Sequence, residues 1–524
     1  MQRKIILYDT TLRDGTQGEQ VNLSAEDKLR IVQKLDAFGI PYVEGGWPGS
    51  NPKDARFFEL ARNTRFTNTR LTAFGSTRRP GTTPERDENI QELLRTGTET
   101  VCVFGKSWDL HAREILGVSL EENLAMIEES VAYLKEKGLE VIYDAEHFFD
   151  GYKRNPSYAM ETVHAAERAG ADIIVLCDTN GGCMPREMEE ILQQTMPAVT
   201  SPVGIHAHND CGLALANSLV AVESGATMVQ GTINGYGERC GNADLIAVIG
   251  NLQVKMGCPC LAEDKLKQLT ELSRYVSEVA NIPPLNQRPF VGKSAFAHKG
   301  GVHVSAIMKN PAAYEHMDPE AIGNRRRVLV SDLSGKSNIA YKSSEMGLRL
   351  GGNGYTSQKI VNEIKRLENL GYQFDAAEGS LELLIKRVTG QFEDPFRLES
   401  FRVTIEKNHA GPSTSQATIK ISVGNEEEIT AAEGDGPVNA LDNALRKALT
   451  KFFPQVEEMG LVDFKVRVID AGGGTAAKVR VQIESRDAKE IWSTIGVSEN
   501  VIEASWQALV DSVQYKLSRE SSGG

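Results

Sequence analysis

The stretch Ile5-Ile6-Leu7-Tyr8-Asp9-Thr10-Thr11-Leu12-Arg13-Asp14-Gly15 passes directly from an apolar run to charged side chains. The run at 5–8 is typical of a buried strand, and the polar residues after it would lie at the strand's carboxyl end. Folds in which strands alternate with helices place their binding and catalytic groups at that end of the sheet. The stretch therefore predicts an α/β fold whose site begins with Arg13 and Asp14.

Seven further apolar runs follow, and amphipathic, helix-like segments separate them up to about residue 257. In segment 24–38, Ser24 and Asp27 form an N-terminal capping pattern and Gly39 provides the stop. Eight such units in about 250 residues match a TIM (β/α)8 barrel in number and length, and a doubly wound open sheet is the alternative. The predicted strands are residues 5–8, 42–44, 71–74, 101–104, 141–143, 173–177, 203–208 and 228–233.

Polar side chains follow nearly every one of these runs, and a closed barrel would bring them all to one mouth. They include Arg13, Asp14, Glu44, Lys106, His111, Asp144, Glu146, Asp178, Asn180, His206, Asp210, Glu238 and Asn242. This clustering is the main indication, from the residues alone, that the chain has a catalytic site.

A metal site is predicted where the first, seventh and eighth strands meet. His206 and His208 stand two positions apart on a predicted strand, so both imidazoles point to the same face. Asp14 follows the first strand and Asn242 follows the eighth, and these strands adjoin once a barrel closes. One carboxylate, two imidazoles and an amide oxygen would leave positions open for substrate on a six-coordinate divalent ion. Two strand histidines satisfied by local hydrogen bonds are the alternative.

Four further residues at the predicted mouth are candidates for chemistry. Arg13 would stabilise an oxyanion, or else it pairs with a neighbouring carboxylate. Glu146 is a candidate general base, or else a salt-bridge partner of Arg13 or Lys106. Asp144 lies on the same face of that strand, and Thr179 stands in a glycine-rich turn with a hydroxyl suited to a small carboxylate. Arg13, Thr179 and Asp144 are therefore the candidates to bind substrate.

The length of 524 residues predicts two or three domains. We place a TIM-barrel catalytic domain at 1–257, helical linker subdomains at 258–390 and a C-terminal α+β domain at 391–524. The elements predicted in the last domain are strands at 401–406, 417–423, 464–469 and 478–484 and helices at about 437–452 and 498–517. The formal net charge of −13 disfavours nucleic acid as the main partner. Seven scattered cysteines and no long apolar run predict a cytoplasmic protein that does not enter a membrane.

Several motifs together carry a resemblance to one family, and they are residues 9–15, 206–210, 235–242, 297–303, 434–440 and 472–475. The first three resemble the signature of the Claisen-condensing metallo-TIM barrels, which include the 2-isopropylmalate, homocitrate and citramalate synthases. The fourth is similar to the family's linker subdomain, and the last two are similar to its allosteric regulatory domain. The resemblance therefore runs along nearly the whole chain.

Within this family, residues 16–20 and 44–54 resemble the citramalate synthase branch, which implies pyruvate as the acceptor. The resemblance implies that acetyl-CoA, pyruvate and water give (R)-citramalate and CoA, the first step of a threonine-independent route to isoleucine. It also implies a divalent metal ion, Mn, Mg or Zn, with Arg13 stabilising the alkoxide. Glu146 and His303 compete as the base that removes the methyl proton of acetyl-CoA.

The resemblance further implies a homodimer and an amino-acid effector. His303 and Tyr314 lie outside the barrel, and in the family's arrangement these residues of one subunit would reach the barrel mouth of the other. The effector at the C-terminal domain would be isoleucine first and leucine second. The alternatives are a 2-isopropylmalate synthase of leucine biosynthesis that uses 2-oxoisovalerate, a carbon–carbon lyase related to the acyl-CoA lyases, and an amino-acid-sensing binding protein with an inactive barrel.

Overall fold

The computed structural model describes residues 4–350, 354–407, 409, 411–470, 474 and 476–521. The chain divides into two compact units. The first unit comprises Met1–Phe296 and Met317–Arg325, and the second comprises Ala297–His316 and Arg326–Gly524. Among the described residues, no helix has both the length and the apolar character needed to cross a lipid bilayer.

The first unit contains a closed barrel of eight strands in chain order, and this confirms the predicted TIM (β/α)8 fold. The strands are β1 (Ile6–Asp9), β2 (Tyr42–Gly46), β3 (Arg70–Ser76), β4 (Thr100–Lys106), β5 (Glu140–Glu146), β6 (Ile173–Asp178), β7 (Val203–Ala207) and β8 (Met228–Gly231). All neighbouring strands are parallel, and β8 pairs with both β7 and β1, which closes the sheet. The ends of β1, β7 and β8 are therefore neighbours, as predicted.

Helices cover the outside of the barrel and are described as α1 (Ala25–Phe38), α2 (Pro52–Ala61), α3 (Glu88–Thr96), α4 (Leu120–Glu136), α5 (Phe148–Arg154), α6 (Pro156–Arg168), α7 (Pro185–Thr195), α8 (Ala214–Ser224), α9 (Leu245–Ile249), α10 (Glu263–Leu266) and α11 (Leu269–Val279). Local sequence explains α1, because Ser24 Oγ accepts the Asp27 amide and the Asp27 carboxylate accepts the Ser24 amide. Gly39 ends the helix with φ of +99°, a left-handed conformation that favours glycine.

The second unit contains a helical part and two three-stranded antiparallel sheets, each followed by a helix. Its elements are β9 (Ala297–His298), α12 (Gly301–Ile307), β10 (Arg327–Val328), α13 (Lys336–Glu345), α14 (Gly354–Asn369), α15 (Glu378–Thr389), β11 (Arg397–Lys407), β12 (Ser413–Val423), β13 (Glu426–Gly434), α16 (Pro437–Thr450), β14 (Gly460–Val468), β15 (Val479–Arg486), β16 (Ile491–Ser498) and α17 (Val501–Ser521). This confirms an α+β C-terminal region, with two strands, β13 and β16, that the sequence did not predict. Gly472, Gly473 and Thr475 of the resemblance motif lie outside the described residues.

Candidate active site

A cavity of about 170 Å³ lies at the barrel mouth, where the strands end. Its lining residues are Arg13, Asp14, Gln17, Trp47, Phe74, Phe104, Asp144, Glu146, Cys177, Thr179, His206, His208 and Glu238. Seven of the predicted site residues are in this set, and all thirteen come from the first unit. The barrel thus gathers acidic, basic and aromatic side chains around one small space.

Asp14, His206 and His208 converge on one point of the cavity. Asp14 Oδ2 lies 3.5 Å from His206 Nε2 and 3.7 Å from His208 Nε2. The two imidazole nitrogens are 3.3 Å apart, and one donor atom from each residue lies within 4.8 Å of the others. His208 follows directly after β7, where it forms a bridge with Asn242. These residues therefore bring a carboxylate and two imidazoles to one place, and the backbone bridge sets Asn242 beside His208, although Asn242 is not in the cavity lining.

Unpartnered polar atoms indicate that this cluster is suited to a cation. Asp14 Oδ1 and Asn242 Oδ1 are buried and accept no hydrogen bond from the described residues. Asn242 Nδ2 lies so close to Gly237, whose φ is +156°, that a Cβ there would overlap it. Buried oxygens without donors are costly, and a divalent cation would satisfy them. The donor set of oxygen and imidazole ligands is one that Mg²⁺, Mn²⁺ or Zn²⁺ can accept.

Burial and neighbouring charges shift the pKa values of all three residues in the cluster. Burial raises the pKa of the Asp14 carboxyl, but the charge of Arg13 and the contact with His206 outweigh burial and hold the pKa well below its usual range. Burial and the charge of His206 lower the pKa of His208 to about 3. Burial lowers the pKa of His206, yet the bond to Asp14 raises it above the ordinary value. Asp14 is therefore an anion and His208 a neutral imidazole at neutral pH.

Arg13 is held rigidly beside this cluster. Its Nε donates to Glu44 Oε2 at 2.7 Å, and its Nη1 donates to Asp14 Oδ2 at 3.2 Å. The guanidinium carbon lies 3.9 Å from the centre of the Phe74 ring. Glu44 is fully buried and also accepts from Tyr8 Oη at 3.0 Å. Arg13 therefore pairs with neighbouring carboxylates, which fix its charge at the cavity wall, and its role in stabilising an oxyanion stays a prediction.

Three more of the predicted site residues, Glu146, Asp144 and Thr179, line the same cavity and have distinct partners. Glu146 forms an ion pair with Lys106. Burial raises the pKa of Asp144, whose Oδ1 accepts from Gln230 Nε2 at 3.0 Å. Thr179 Oγ1 accepts the amide of His147 at 2.8 Å, and no bond among the described residues uses its own proton. The Thr179 hydroxyl can therefore donate into the cavity.

Three aromatic rings form one wall of the cavity. Trp47 meets Phe74 and Phe104 edge to face, with ring centroids 5.8 Å and 5.5 Å away, and the two Phe rings stack at 5.4 Å. The Trp47 indole donates to Asn89 Oδ1 at 2.6 Å, and its amide donates to Asp54 Oδ2 at 2.9 Å. We define Trp47, Phe74 and Phe104 as the aromatic wall. Because these rings support one another, the wall limits the size of an apolar group beside Arg13.

His303 and Tyr314 lie in the second unit, where their rings stack with centroids 4.1 Å apart and an interplanar angle of 25°. Tyr314 is exposed. Neither residue is in the cavity lining, which comes from the first unit. Their part in catalysis, expected at the barrel of a partner subunit, therefore stays a prediction.

Sequence reasoning did not assign roles to Glu44, Trp47, Phe74, Phe104 or Gln230. On the sequence, Glu44 is one of many polar residues that follow a predicted strand. Gln230 carried a usable signal, because it is a polar residue within the otherwise apolar strand β8. The three aromatic residues gave no such signal, since aromatic side chains near strand ends are ordinary core residues.

A closed (β/α)8 barrel whose mouth joins a carboxylate, two imidazoles and an arginine held by ion pairs is the arrangement of a barrel enzyme with a site suited to a cation. Residues 4–276 match the family described as HMGL-like. The chain belongs to this family. Two further family descriptions match the rest of the chain in part: "Homocitrate synthase post-HMGL domain-like" at 290–371 and "LeuA allosteric (dimerisation) domain" at 375–517.

Full-length relatives define its place in the family more closely. A protein of Geobacter sulfurreducens named (R)-citramalate synthase is 54% identical over 98% of this chain and 97% of its own. The (R)-citramalate synthase of Aquifex aeolicus is 53% identical over 100% of both chains. A 2-isopropylmalate synthase of Methanocaldococcus jannaschii is more distant, at 31% identity over 98% of this chain and 95% of its own.

Proposed function

We propose that this chain is an (R)-citramalate synthase, an acyltransferase that converts acetyl-CoA, pyruvate and water into (R)-citramalate and CoA. The observation that carries the proposal is the full-length similarity to two synthases of that name, at 54% and 53% identity. The barrel cavity supports it, because its groups match what a condensation on a 2-oxo acid requires. The reaction would open a threonine-independent route to isoleucine.

We assign Asp14, His206, His208 and Asn242 as the residues that hold a divalent ion, with Mn, Mg and Zn as the candidates. The convergent donor atoms and the two unpartnered oxygens support this assignment. A divalent ion held there would polarise the keto group of pyruvate and orient it for attack.

Arg13, Thr179 and Asp144 are the proposed substrate-binding residues. The fixed guanidinium of Arg13 would donate to the keto oxygen as it becomes an alkoxide. The Thr179 hydroxyl would donate to the carboxylate of pyruvate. Asp144 lines the same cavity, so a carboxylate oxygen of this residue would accept a hydrogen bond from a substrate hydroxyl or water.

The condensation begins with a proton transfer, for which we propose Glu146 or His303 as the base. The base takes one proton from the methyl group of acetyl-CoA, and the methyl carbon forms a bond with the keto carbon of pyruvate. The keto oxygen becomes an alkoxide and accepts a proton. Water then attacks the thioester carbon, the C–S bond breaks, and CoA leaves as the thiol. Lys106 supports Glu146 in this role, because its ion pair fixes the carboxylate at the cavity.

The C-terminal match suggests how the enzyme is assembled and regulated. We propose a homodimer with the domain division 1–257, 258–390 and 391–524, in which His303 and Tyr314 of one subunit serve the barrel of the other. The family description "LeuA allosteric (dimerisation) domain" for 375–517 supports this assembly. We propose isoleucine as the effector, with leucine second, because the end product of the route is the expected inhibitor.

The experiment that tests the function measures CoA thiol release from acetyl-CoA with pyruvate, 2-oxobutyrate, 2-oxoisovalerate and 2-oxoglutarate. We expect pyruvate to give the highest kcat/KM, because the aromatic wall leaves room for a small substituent. A preference for 2-oxoisovalerate would make the chain a 2-isopropylmalate synthase. No release with any acceptor would favour a binding protein with an inactive barrel.

The aromatic wall provides a sharper test of the acceptor. We expect Phe104→Ala to raise the ratio of kcat/KM for 2-oxobutyrate over pyruvate about tenfold, since one methylene in an apolar pocket discriminates by about 10-fold to 200-fold. The ratio does not depend on the fraction of active enzyme, so partial unfolding does not change it. An unchanged ratio would remove Phe104 from the acceptor pocket and leave the overall reaction untouched.

A further inference from the structure

Gln230 forms a buried bridge between two site residues. It lies on β8 with 0% exposure, and its Nε2 donates to Asp144 Oδ1 at 3.0 Å. Its Oε1 lies 2.8 Å from His206 Nδ1. The chain thus connects Asp144 on β5, Gln230 on β8 and His206 on β7 through one amide.

The chemistry of the three groups sets the direction of these bonds. Gln230 Nε2 is the amide atom that faces Asp144 Oδ1, and an amide NH₂ group can only donate. The amide oxygen of Gln230 therefore faces His206, and His206 must carry its proton on Nδ1 to donate to that oxygen. The lone pair of His206 Nε2 is then left on the side of Asp14 and His208, which is the state that a metal ligand needs.

We infer that Gln230 is the positioning residue of the cation site: it selects the Nδ1-protonated tautomer of His206 and holds that ring in the orientation for binding a divalent cation. The inference goes beyond the proposed function, because it concerns how the chain prepares a ligand and does not depend on the acceptor. A glutamine that only satisfied hydrogen bonds in the core would change the stability of the barrel and leave cation affinity unchanged.

The test measures Mn²⁺ binding to the full-length protein without substrates, by titration with detection of free Mn²⁺ by electron paramagnetic resonance. Gln230→Met keeps the length of the side chain but removes both hydrogen bonds, and we expect Mn²⁺ affinity to fall about 10-fold to 100-fold. Gln230→Glu retains an acceptor for His206 Nδ1, and we expect its affinity to stay within about threefold of the original protein.

Gln253→Leu is the control, because Gln253 is a half-buried glutamine of the first unit that lies outside the site and bonds the backbone of Leu261. We expect this variant to lose stability without losing Mn²⁺ affinity. If Gln230→Met does not fold, Asp144→Asn tests the same bridge, since an asparagine no longer dictates which way the amide points, and we expect a weaker loss of affinity.

His206→Ala separates this inference from the metal site itself. If His206→Ala abolishes Mn²⁺ binding while Gln230→Met, or Asp144→Asn in its place, binds as tightly as the original protein, the role of Gln230 is overturned and the site stands. If His206→Ala also binds Mn²⁺ unchanged, the metal site is wrong and the inference falls with it.

Discussion

Arg13 shows at the scale of one residue how the site obtains a fixed positive charge. Two carboxylates, Glu44 and Asp14, and the face of Phe74 hold the guanidinium. Lysine has the charge but lacks the planar set of donors that can bond both acids and still face the cavity. We expect Arg13→Lys to lower kcat by about 10²-fold to 10³-fold, the usual effect of removing an oxyanion donor. Steady-state kinetics with pyruvate measures this loss.

The control is Arg70→Lys. Arg70 is an exposed arginine at the start of β3, at the end of the strand away from the barrel mouth, and it pairs with Glu140 at the start of β5. We expect kcat for this variant to be unchanged. A loss below threefold in Arg13→Lys would show that the guanidinium has only a structural role.

Residue type and spacing were enough to predict Asp14, His206 and His208, since strand periodicity and barrel closure dictate which side chains meet. The partners that orient them could not be predicted, because they depend on distant elements. Glu44 is 31 residues from Arg13, and Gln230 is 86 residues from Asp144. Only the closed sheet brings such pairs together.

At the scale of an element, Glu167 joins the end of α6 to the segment before β7. Its Oε1 accepts the Thr200 amide and hydroxyl, both at 2.7 Å, and the Ser201 amide at 2.9 Å. Burial raises the pKa of Glu167, but these bonds outweigh burial and lower the pKa from 4.5 to about 2. The folded state therefore favours the ionised carboxylate, and the connection gains stability from it.

We expect Glu167→Gln to lose about 2 kcal/mol of unfolding free energy at pH 7, because charge-assisted hydrogen bonds are replaced by neutral ones. The pKa is lower in the folded state, so the contribution is complete above about pH 4.5 and is lost as the pH falls toward about 2. The difference in unfolding free energy between Glu167→Gln and the original protein should therefore shrink below pH 4.5. Urea unfolding at several pH values measures it.

Glu161→Gln on the same helix is the control, since Glu161 is exposed and its ion pair with Arg168 is long, with 3.9 Å between Oε2 and Nη1. We expect a change within about 0.5 kcal/mol at every pH. If the difference in unfolding free energy between Glu167→Gln and the original protein stayed constant down to pH 3, the stabilising role of the ionised Glu167 carboxylate would be contradicted.

The elements that the sequence missed have physical reasons for their weak patterns. β13 begins with Glu426-Glu427-Glu428 and, among the described strands, pairs only with β12. Charged residues therefore protect an edge strand and hide its alternation. In β16, Gly496 interrupts the apolar pattern, because a Cβ there would overlap the backbone oxygen of Ala504 on α17. The barrel strands were predicted more completely because both of their faces are buried.

At the scale of the whole molecule, the chain passes between its two units more than once. It leaves the first unit after Phe296, returns for Met317–Arg325 and then continues in the second unit. The returning segment is anchored, since Ile322 is fully buried and its carbonyl accepts from Thr270 Oγ1 at 2.8 Å. The domain boundaries predicted from the sequence, at 257/258 and 390/391, do not include this return, because such anchoring depends on contacts between residues far apart in the chain. Those boundaries stay a prediction.

Gly323 lies in the segment Met317–Arg325 that returns to the first unit, and its backbone geometry gives a prediction for the full chain. Its φ is +69°, and a Cβ there would overlap the backbone oxygen of Lys267. Gly390 has a similar φ of +71° with open space around it, so it isolates the cost of the left-handed backbone. We expect Gly390→Ala to cost about 1–2 kcal/mol and Gly323→Ala about 1–3 kcal/mol more, because overlap with a backbone atom is added.

Hydrogen exchange of the amides of Gly323 and Asn324, which bond Glu320 and Pro319, measures the return directly. In Gly323→Ala we expect their exchange to accelerate more than tenfold, since 1.4 kcal/mol corresponds to about a factor of ten. In Gly390→Ala their exchange should match that of the original protein, because the substitution lies in the other unit. Equal exchange in both variants would mean that the close approach of Gly323 to the Lys267 carbonyl does not hold segment 317–325 in the first unit, and this would contradict the prediction.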